Sequence, residues 1–261
     1  MDVITHNRQA WNRESREGSE WCTPVSLDAI CAAKQGSWSV ILTPTKSVPT
    51  AWLGDVREKH ILCLASGGGQ QAPLLAAAGA HVTSFDLSDE QLEKDRMVAL
   101  RDGLVLSCIQ GNMADLSLLS SESFDLVFHP VSNVFVPDVM PVWQECYRVL
   151  KPGGILLAGF MNPSLFLFNH NETTETGSLE VRYSLPYREP ESLAGVDAVE
   201  WQSSGRPAAF SHSLEAQIGG QLSAGFVLTG LYEDEWSDDA TLFNKFSPVA
   251  IATRSIKPAK A

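Results

Sequence analysis

The sequence predicts an α/β protein built on a doubly wound, mostly parallel sheet with an antiparallel last strand. Apolar strand patterns alternate with helical patterns from residue 59 onward. The connections between them are short, and three consecutive glycines directly follow the first buried strand. Strands that alternate with helices over short connections are typical of parallel sheets with right-handed crossovers. We expect seven strands, preceded by a helical extension and with an insertion after the fifth.

Five strands and three helices are predicted between residues 60 and 160. The strands are expected at 60–65, 81–85, 105–110, 123–128 and 155–160, and the helices at 72–78, 88–102 and 139–150. Ser88 and Gln91 form the pattern of a capping box at the start of the second helix. Gly79 and Gly103 follow the first two helices and are expected to end them. Lys151-Pro-Gly-Gly154 is expected to be a loop that ends the third helix.

The C-terminal part of the chain is expected to leave this alternation and then return to it. Residues 161–209 are polar and are interpreted as an insertion outside the main sheet, with a candidate strand at 179–185 that could form a hairpin. A helix at 213–224 and strands at 226–233 and 248–254 complete a main domain over 56–261. The last two strands are too close for a helical crossover, so they should pair antiparallel.

Residues 1–55 are predicted to form an N-terminal extension. It contains a short amphipathic helix at 7–16 and a second helix that Ser26 caps and Gly36 ends. Four of the seven tryptophans lie here: Trp11, Trp21, Trp38 and Trp52. They could pin the extension to the main domain, or part of the extension could form a lid that lines a substrate pocket.

Composition describes an ordinary globular protein of 261 residues with 44% hydrophobic residues, enough for a sizeable core. The formal net charge of −12 and the lack of a Lys/Arg cluster argue against a nucleic-acid partner. No apolar run of transmembrane length and no signal peptide are visible. The five cysteines are scattered and odd in number, which indicates free thiols in a reducing compartment. We therefore expect a cytoplasmic monomer or homodimer without a membrane partner.

The strand–glycine–helix passage at residues 60–78 indicates a nucleotide site. Gly67, Gly68 and Gly69 would let the backbone approach a ligand closely, and the following helix would direct N–H groups at it. The alternative is a tight strand–helix connection without a ligand. The turn alone does not identify the nucleotide.

Five motifs, taken in order, resemble the class I S-adenosylmethionine-dependent methyltransferases, most closely their small-molecule branch. They are the glycine triplet, Asp86 after the second strand, Gly111-Asn-Met-Ala-Asp115, Phe124-Asp-Leu-Val-Phe128 and Arg148-Val-Leu-Lys-Pro-Gly-Gly154. The resemblance covers residues 60–160 well, the last three elements by pattern only and the extension hardly at all. It implies a Rossmann-like sheet, S-adenosylmethionine as methyl donor and S-adenosylhomocysteine as product.

The resemblance also implies roles for individual residues. Gly67 and Gly69 would pass close to the methionine part of the cofactor, and Asp86 would accept hydrogen bonds from both ribose hydroxyls. The full implied set is Ala65, Ser66, Gly67, Gly69, Gln70, Asp86, Leu87 on the adenine face, Asn112 and Met113 at the adenine edge, and His129 beside the methyl-donor site. Two positions depart from the family pattern: Cys63 replaces an acidic residue and Ala65 replaces a glycine. Gln70 or a residue of the extension could compensate.

Methyl transfer from a sulfonium requires mainly alignment and exclusion of water, with a general base only for an acceptor that is protonated. His129 is the candidate base or substrate contact because it follows the fourth strand, although a structural histidine is equally consistent with that position. His170 and His212 are weaker candidates. The candidate substrate residues are Trp11, Trp21, Asn133 and Phe135, with core packing as the alternative for the three aromatic ones. No metal-ligand spacing is visible.

Two other functions stay open at this point. The segment 67–72 also fits the GxGxxA form of a dinucleotide fingerprint, with Asp86 as the ribose acid, as in NAD(P)-dependent oxidoreductases. Against it, Asp86 comes early, and the Lys-Pro-Gly-Gly segment and terminal strand pair have no place in that fold. The departures at Cys63 and Ala65 also allow a methyltransferase-like protein that binds the cofactor without turnover.

Overall fold

Buried apolar runs form the strands at the centre of the protein, for which a computed structural model describes residues 1–169, 177–237 and 240–259. The strands are β1 (His60–Leu64), β2 (His81–Asp86), β3 (Leu106–Gln110), β4 (Phe124–His129), β5 (Leu150–Met161), β6 (Val227–Asp234) and β7 (Ala250–Ile256). They form one seven-stranded sheet in the order β3-β2-β1-β4-β5-β7-β6. Strand β7 runs antiparallel to both of its neighbours, and the other pairs are parallel. The predicted fold class is confirmed.

Helices cover the sheet and extend across its carboxyl edge. They are α1 (Val3–Glu17), α2 (Leu27–Lys34), α3 (Thr50–Leu53), α4 (Gln71–Ala77), α5 (Asp89–Asp102), α6 (Met140–Val149), α7 (Gly195–Ser204) and α8 (Gly220–Ser223). Short 3₁₀ turns lie at Glu20–Cys22, Asn133–Phe135, Pro163–Leu167 and Leu242–Lys245, and a π turn lies at Glu215–Gly219. No helix in the described part of the chain is long and apolar enough to cross a membrane.

The core has two layers, one on each face of the sheet. Along β1 successive side chains point to opposite faces. Leu62 and Leu64 join a buried cluster with Trp143 of α6, whereas Cys63 joins the cluster on the other face with Leu75 of α4. Both faces of β1 are therefore covered, which explains why its sequence is apolar throughout rather than alternating.

The first helix is longer than the sequence pattern indicated. It was expected at 7–16 and spans Val3–Glu17, because the side chain of Asp2 caps it by accepting from the Ile4 N–H at 3.1 Å. Ion pairs join it to α5, including Arg8 with Asp89. Such exposed pairs contribute little individually. The helix is held more firmly by Asn7, which is buried and bonds the insertion.

The prediction of a loop at 151–154 was wrong, because this segment belongs to β5. The register of β5 against β4 shifts across it, so its extra residues bulge. Their backbone groups are nevertheless paired. The Gly153 N–H donates to the Lys257 carbonyl at 2.8 Å, and the Lys257 N–H donates to the Gly154 carbonyl at 2.9 Å. The residue that follows β7 thus completes the ladder.

Two C-terminal elements also differ from expectation. The candidate strand at 179–185 forms only an isolated bridge, between Val181 and Phe168, within the described residues. Its residues are exposed or half-buried, so it has no apolar face that would hold it in a sheet. The helix expected at 213–224 is a π turn that continues into α8, and its Gln217 and Gln221 are buried.

The close contact between Gly159 of β5 and the extension generates a stability prediction. A Cβ atom at Gly159 would lie 2.1 Å from the Leu42 carbonyl oxygen, which already accepts from the Val131 N–H. We expect Gly159→Ala to lower the free energy of unfolding by about 1–3 kcal/mol through overpacking, measured by urea denaturation. Gly219→Ala is the matched control, since its Cβ would meet Glu215 at an ordinary 3.7 Å. Equal losses in both variants would contradict the prediction.

Candidate functional site

The turn after β1, residues 65–70, is called the glycine turn. Ala65 has a left-handed backbone with φ of 48°, and Gly68 and Gly69 have φ of 107° and 77°. A left-handed conformation costs a residue with a side chain roughly 1–2 kcal/mol. The departure at Ala65 is therefore a strained one that the surrounding structure maintains, partly through the bond from the Ala65 N–H to the Phe85 carbonyl at 2.7 Å.

Two carboxylates from neighbouring elements hold the backbone of the glycine turn. Asp86 at the end of β2 accepts from the Gly67 N–H at 3.0 Å. Asp95 in α5 accepts from the Gly69 N–H at 2.8 Å and from the Ser84 hydroxyl at 2.6 Å. Asp95 is fully buried, and desolvation raises its pKa to about 7.

Asp95 was missed by sequence reasoning, although a signal was present. It lies on the face of α5 that also carries the buried Leu92, Val98 and Ala99. An acid on the apolar face of a helix requires a partner inside the protein. Its field also adds to the effect of burial in raising the pKa of Cys63, the position at which the family pattern has an acid. The turn is thus supported by a carboxylate from α5 rather than from β1.

The carboxylate of Asp86 is placed to accept hydrogen bonds from hydroxyl groups of a ligand. Its two oxygens accept one backbone N–H each, from Gly67 at 3.0 Å and from Ser88 at 2.9 Å. Each carboxylate oxygen has a second lone pair, so two further donors can be accepted side by side. Burial raises the pKa of Asp86, against the lowering effect of these hydrogen bonds.

Asp86 and the glycine turn line one cavity of about 560 Å³. Of the residues predicted to bind a cofactor, those that line it are Ala65, Ser66, Gly67, Gln70, Asp86, Leu87, Asn112 and Met113. Trp11, Trp21 and Phe135 of the predicted substrate set also line it. Gly69, His129 and Asn133 are not among the lining residues. The structure therefore brings most of the predicted residues to one place.

Two buried oxygen atoms in the cavity lining lack a hydrogen-bond partner within the described residues: Ser66 Oγ and Gln91 Oε1. Both side chains are more than nine-tenths buried. The Gln91 amide nitrogen contacts Cys22 Sγ at 3.0 Å, while Oε1 lies over the glycine turn, 2.7 Å from where a Cβ of Gly68 would be. An unpaired buried acceptor costs free energy, so these atoms suit a ligand that carries hydrogen-bond donors. Ribose hydroxyls and an amino group, as in S-adenosylmethionine, fit this set. Sequence reasoning used Gln91 only as a capping residue.

His129 lies behind the cavity wall and is fully buried. Its Nδ1 lies 3.0 Å from the Leu64 carbonyl oxygen, and its Nε2 lies 2.7 Å from the side-chain oxygen Oδ1 of Asn133. Burial lowers the pKa of His129, which favours the neutral ring. A neutral imidazole carries one N–H and can donate it to either of these oxygens. Both nitrogens face protein oxygen atoms at hydrogen-bond distance, so neither is free for a substrate. The arrangement links the end of β1 to the 3₁₀ turn at Asn133–Phe135.

His212 also lies away from the cavity. His212 Nε2 contacts the carbonyl oxygens of Asn133 and Val136, both at 3.0 Å, and burial lowers its pKa. It is not a lining residue. His170 lies outside the described residues. Within the part of the chain that is described, no group of three or more His, Cys, Asp or Glu side chains is arranged to hold a metal ion.

The extension closes over the glycine turn. Gln70 Nε2 donates to the carbonyl oxygens of Glu20 and Thr23, at 3.0 and 3.1 Å. The Val25 N–H donates to the Gly69 carbonyl at 2.8 Å. Gln70, expected as a compensating cofactor contact, thus connects the extension to the turn while it also lines the cavity.

Comparison with known proteins adds independent observations. A family model described as a methyltransferase domain matches residues 62–158. A Bacillus subtilis (strain 168) protein named uncharacterized methyltransferase YbaJ is 46% identical over 255 residues, which is 98% of each chain. A ubiquinone biosynthesis O-methyltransferase of Haemophilus ducreyi is 35% identical over 111 residues, which is 41% of this chain and 47% of that protein. The solved structure of an S-adenosylmethionine-dependent methyltransferase from Mesorhizobium loti has the same fold, with a TM-score of 0.58 at 17% identity over 79% of this chain and 94% of that one.

The buried Asp95 generates a prediction on pH dependence. Its pKa of about 7 in the fold exceeds the usual 3.8, so the folded protein holds this proton to higher pH than the unfolded chain. Ionisation of Asp95 therefore destabilises the fold as pH rises from about 4 to about 7. Asp95→Asn replaces the acid by an amide, which stays neutral and, like the protonated acid, can donate a hydrogen bond. The free energy of unfolding of this variant, relative to that of the wild type, should therefore increase by more than ~1 kcal/mol between pH 5 and pH 8.

Chemical denaturation across this pH range measures the difference. Asp28→Asn is the control, because Asp28 is exposed on α2. Parallel pH profiles for Asp95→Asn and the wild type would show that Asp95 is ionised at both ends of the range.

Proposed function

This chain belongs to the class I S-adenosylmethionine-dependent methyltransferases, and we propose that it transfers the methyl group of S-adenosylmethionine to a small-molecule acceptor. One observation carries the proposal. Asp86, the glycine turn and two unpartnered buried oxygens converge on a single cavity that is large enough to be a ligand site. When bound, the cofactor supplies an electrophilic methyl group and a neutral thioether leaving group.

The residues at one end of the cavity suit the cofactor. Asp86 has one lone pair left on each oxygen, which suits two adjacent ribose hydroxyls. Leu87 and Met113 offer apolar faces for the adenine ring. Asn112 uses its side-chain oxygen to accept from the Ala114 N–H at 3.0 Å, which leaves its amide nitrogen as a donor toward the base. We refer to this part of the lining, residues 65–67, 86–87, 91 and 111–113, as the cofactor end.

We further propose that Ser66 and Gln91 compensate for the acid missing at position 63. The thiol of Cys63 is fully buried on the face of β1 that packs against Leu75 of α4, and it does not line the cavity. Gln91 Oε1 and Ser66 Oγ belong to lining residues of the cofactor end and are buried without a partner among the described residues, which makes them the proposed acceptors for a hydroxyl or amino group of the cofactor. Asp95 supplies the support of the turn backbone. Support of the turn backbone and acceptance of hydrogen bonds from the cofactor, which the resemblance assigns to one carboxylate, are thus proposed to be divided between separate residues.

The extension and the insertion are proposed to enclose the acceptor. Trp11 and Trp21 of residues 1–55 line the cavity, as do Leu165, Phe166 and Ala209 at the two ends of residues 161–209. Enclosure excludes water and holds the acceptor in line with the methyl group, which is what this chemistry requires. The segments 1–55 and 161–209 are thus proposed as lid and substrate region of a domain that spans 56–261.

His129 is proposed to hold the 3₁₀ turn at Asn133–Phe135 in position rather than to act as an acid or base. Both of its ring nitrogens are engaged, and Asn133 continues the connection to Gln217 at 3.0 Å. The turn at Asn133–Phe135 that it supports carries Phe135, a lining residue. A general base, where the acceptor needs one, would therefore come from another group or from solvent.

Two competing functions differ from the proposed one in different ways. An NAD(P)-dependent oxidoreductase would differ in its fold, and a non-catalytic methyltransferase-like protein would differ in lacking turnover. A dinucleotide-binding oxidoreductase sheet ends in a parallel sixth strand, whereas β7 here runs antiparallel between β5 and β6. Family membership also favours the sulfonium cofactor. A non-catalytic methyltransferase-like protein would share the cofactor end, and only an assay of methyl transfer distinguishes it. All five cysteines are free thiols, which supports a reducing compartment such as the cytoplasm.

The role of Asp86 can be tested directly. Asp86→Asn should weaken S-adenosylmethionine binding about 10- to 100-fold, since hydrogen bonds to a charged group contribute about 1.5–3 kcal/mol. Isothermal titration calorimetry measures the change, with the exposed Asp28→Asn as control. Absence of binding by the wild type would overturn the proposed function.

Gln91→Met should separate binding from stability. Loss of the Oε1 acceptor is expected to weaken S-adenosylmethionine binding about 5- to 10-fold. The ligand-free protein should be about as stable as the wild type, because removal of the unpaired buried oxygen offsets loss of the hydrogen bond from Gln91 Nε2 to Cys22 Sγ. Calorimetry and thermal unfolding measure the two effects. Gln144→Met, at an exposed site on α6, should change neither. A Gln91→Met protein that binds normally would show that Oε1 does not contact the cofactor.

A further inference from the structure

The part of the cavity away from the cofactor end has an apolar lining. Val131, Met161, Phe166 and Trp236 all line it, and all pack around the buried Leu165 in one hydrophobic cluster. They come from the segment after β4, the end of β5, the 3₁₀ turn that follows it and the segment after β6. Ligands of open α/β sheets bind at the carboxyl ends of the parallel strands. We call this part of the lining the acceptor end.

The acceptor end offers almost no charge. Among the described residues, no Lys, Arg or His lines the cavity, and its ionisable groups are Asp86 and Asp138. Asp86 belongs to the cofactor end. Asp138 is exposed, and one of its oxygens accepts from the Met140 N–H at 2.9 Å. A carboxylate, sulfonate or phosphate on the acceptor would therefore lose its hydration without meeting a cationic side chain of the described lining.

Most polar side chains of the lining outside the cofactor end already have partners. Gln71 Oε1 accepts from the Ile41 N–H at 3.1 Å, and Thr43 Oγ1 lies 3.5 Å from the Tyr232 hydroxyl. Asn7 donates to the Phe135 carbonyl at 2.9 Å and accepts from the Ala208 N–H at 2.7 Å. The Ser132 hydroxyl donates to the Pro130 carbonyl at 2.9 Å. The unpartnered buried oxygens of the lining, Ser66 Oγ and Gln91 Oε1, lie instead at the cofactor end. The acceptor must therefore bind mainly through apolar contact.

Aromatic side chains shape the apolar walls. Trp11 and Phe135 meet edge to face with ring centroids 4.9 Å apart, and Phe166 packs against Tyr187 at 5.7 Å. Aromatic rings pack favourably with one another in offset or edge-to-face geometry. Walls of this kind favour a ring-containing ligand over one that binds by hydrogen bonds.

We propose that the acceptor is an uncharged, apolar molecule with an aromatic ring that bears a single hydroxyl or thiol as its nucleophile. The inference rests on the proposed function. A bond forms between the acceptor's oxygen or sulfur and the methyl carbon, and the carbon–sulfur bond of the sulfonium breaks with its electron pair passing to sulfur. The nucleophile's proton leaves to water or to the exposed Asp138 carboxylate.

Binding of matched probes tests the acceptor class. The protein is saturated with S-adenosylhomocysteine and titrated with 2-naphthol or with 6-hydroxynaphthalene-2-sulfonate, which has the same ring and nucleophile and an added anion. Quenching of tryptophan fluorescence follows binding, since Trp11 and Trp236 line the cavity. We expect 2-naphthol to bind at least about tenfold more tightly. Equal or tighter binding of the sulfonate, or no binding of either probe, would overturn the proposal.

Two variants locate the probe and reverse the preference. Met161→Lys places a cation at the acceptor end and should shift the ratio of the two affinities toward the sulfonate by at least about tenfold. Phe166→Ala should weaken 2-naphthol binding several-fold, whereas Phe246→Ala, at an exposed site, should not. An unchanged ratio in a Met161→Lys protein that binds S-adenosylhomocysteine normally would contradict the assignment of this surface.

The two proposals fail in different ways. Calorimetry with S-adenosylhomocysteine is run on every protein before the probes are added. If the wild type does not bind it, the proposed function fails and the acceptor class fails with it. If it binds and the probes do not discriminate as expected, the acceptor class alone is wrong.

Discussion

The N–H groups of Gly67 and Gly69 each donate to a carboxylate from a neighbouring element, Asp86 at the end of β2 and Asp95 in α5. These bonds hold the glycine turn between two elements and stabilise the left-handed backbone at Ala65. The Gly69 carbonyl in turn accepts from Val25, so the extension depends on the same turn. Moving Asp95 or Asp86 would therefore disturb both the cofactor end and its cover.

This arrangement has an electrostatic cost that a ligand can offset. Asp86 and Asp95 both lie in poorly solvated surroundings, and each raises the free energy of the fold when ionised. Ser66 Oγ and Gln91 Oε1 add two acceptors at the same place that have no partner in the described part of the chain. A ligand with a positive charge and several hydroxyl donors would offset this cost at Asp86, Ser66 and Gln91, which line the cavity. These groups suit a cation with hydroxyl groups better than an anionic phosphate, which supports the proposed sulfonium cofactor over a dinucleotide.

The sheet and most of the cofactor end were predictable because their signals are local. Strand–helix alternation, Asp86 after β2 and the glycine triplet lie within a continuous stretch of the chain, and their order specifies the fold. The bulged start of β5 was not predictable, because its backbone partner is the distant Lys257. His129 follows a strand at the expected edge, yet only the three-dimensional contacts with Leu64 and Asn133 show that its ring nitrogens are occupied.

The acceptor end, in contrast, was not predictable from local signals in the sequence. Trp11, Phe135, Phe166 and Trp236 are far apart in the chain, and each could as well have been an ordinary core residue. No local pattern marks them, since apolar packing is undirected and has no characteristic spacing across different elements. The sequence indicated that such residues would lie in segments 1–55 and 161–209. Trp11 and Phe166 do lie there, whereas Phe135 follows β4 and Trp236 follows β6. The chemistry of the acceptor is therefore a property of the closed structure, in which the extension and the insertion meet over the sheet.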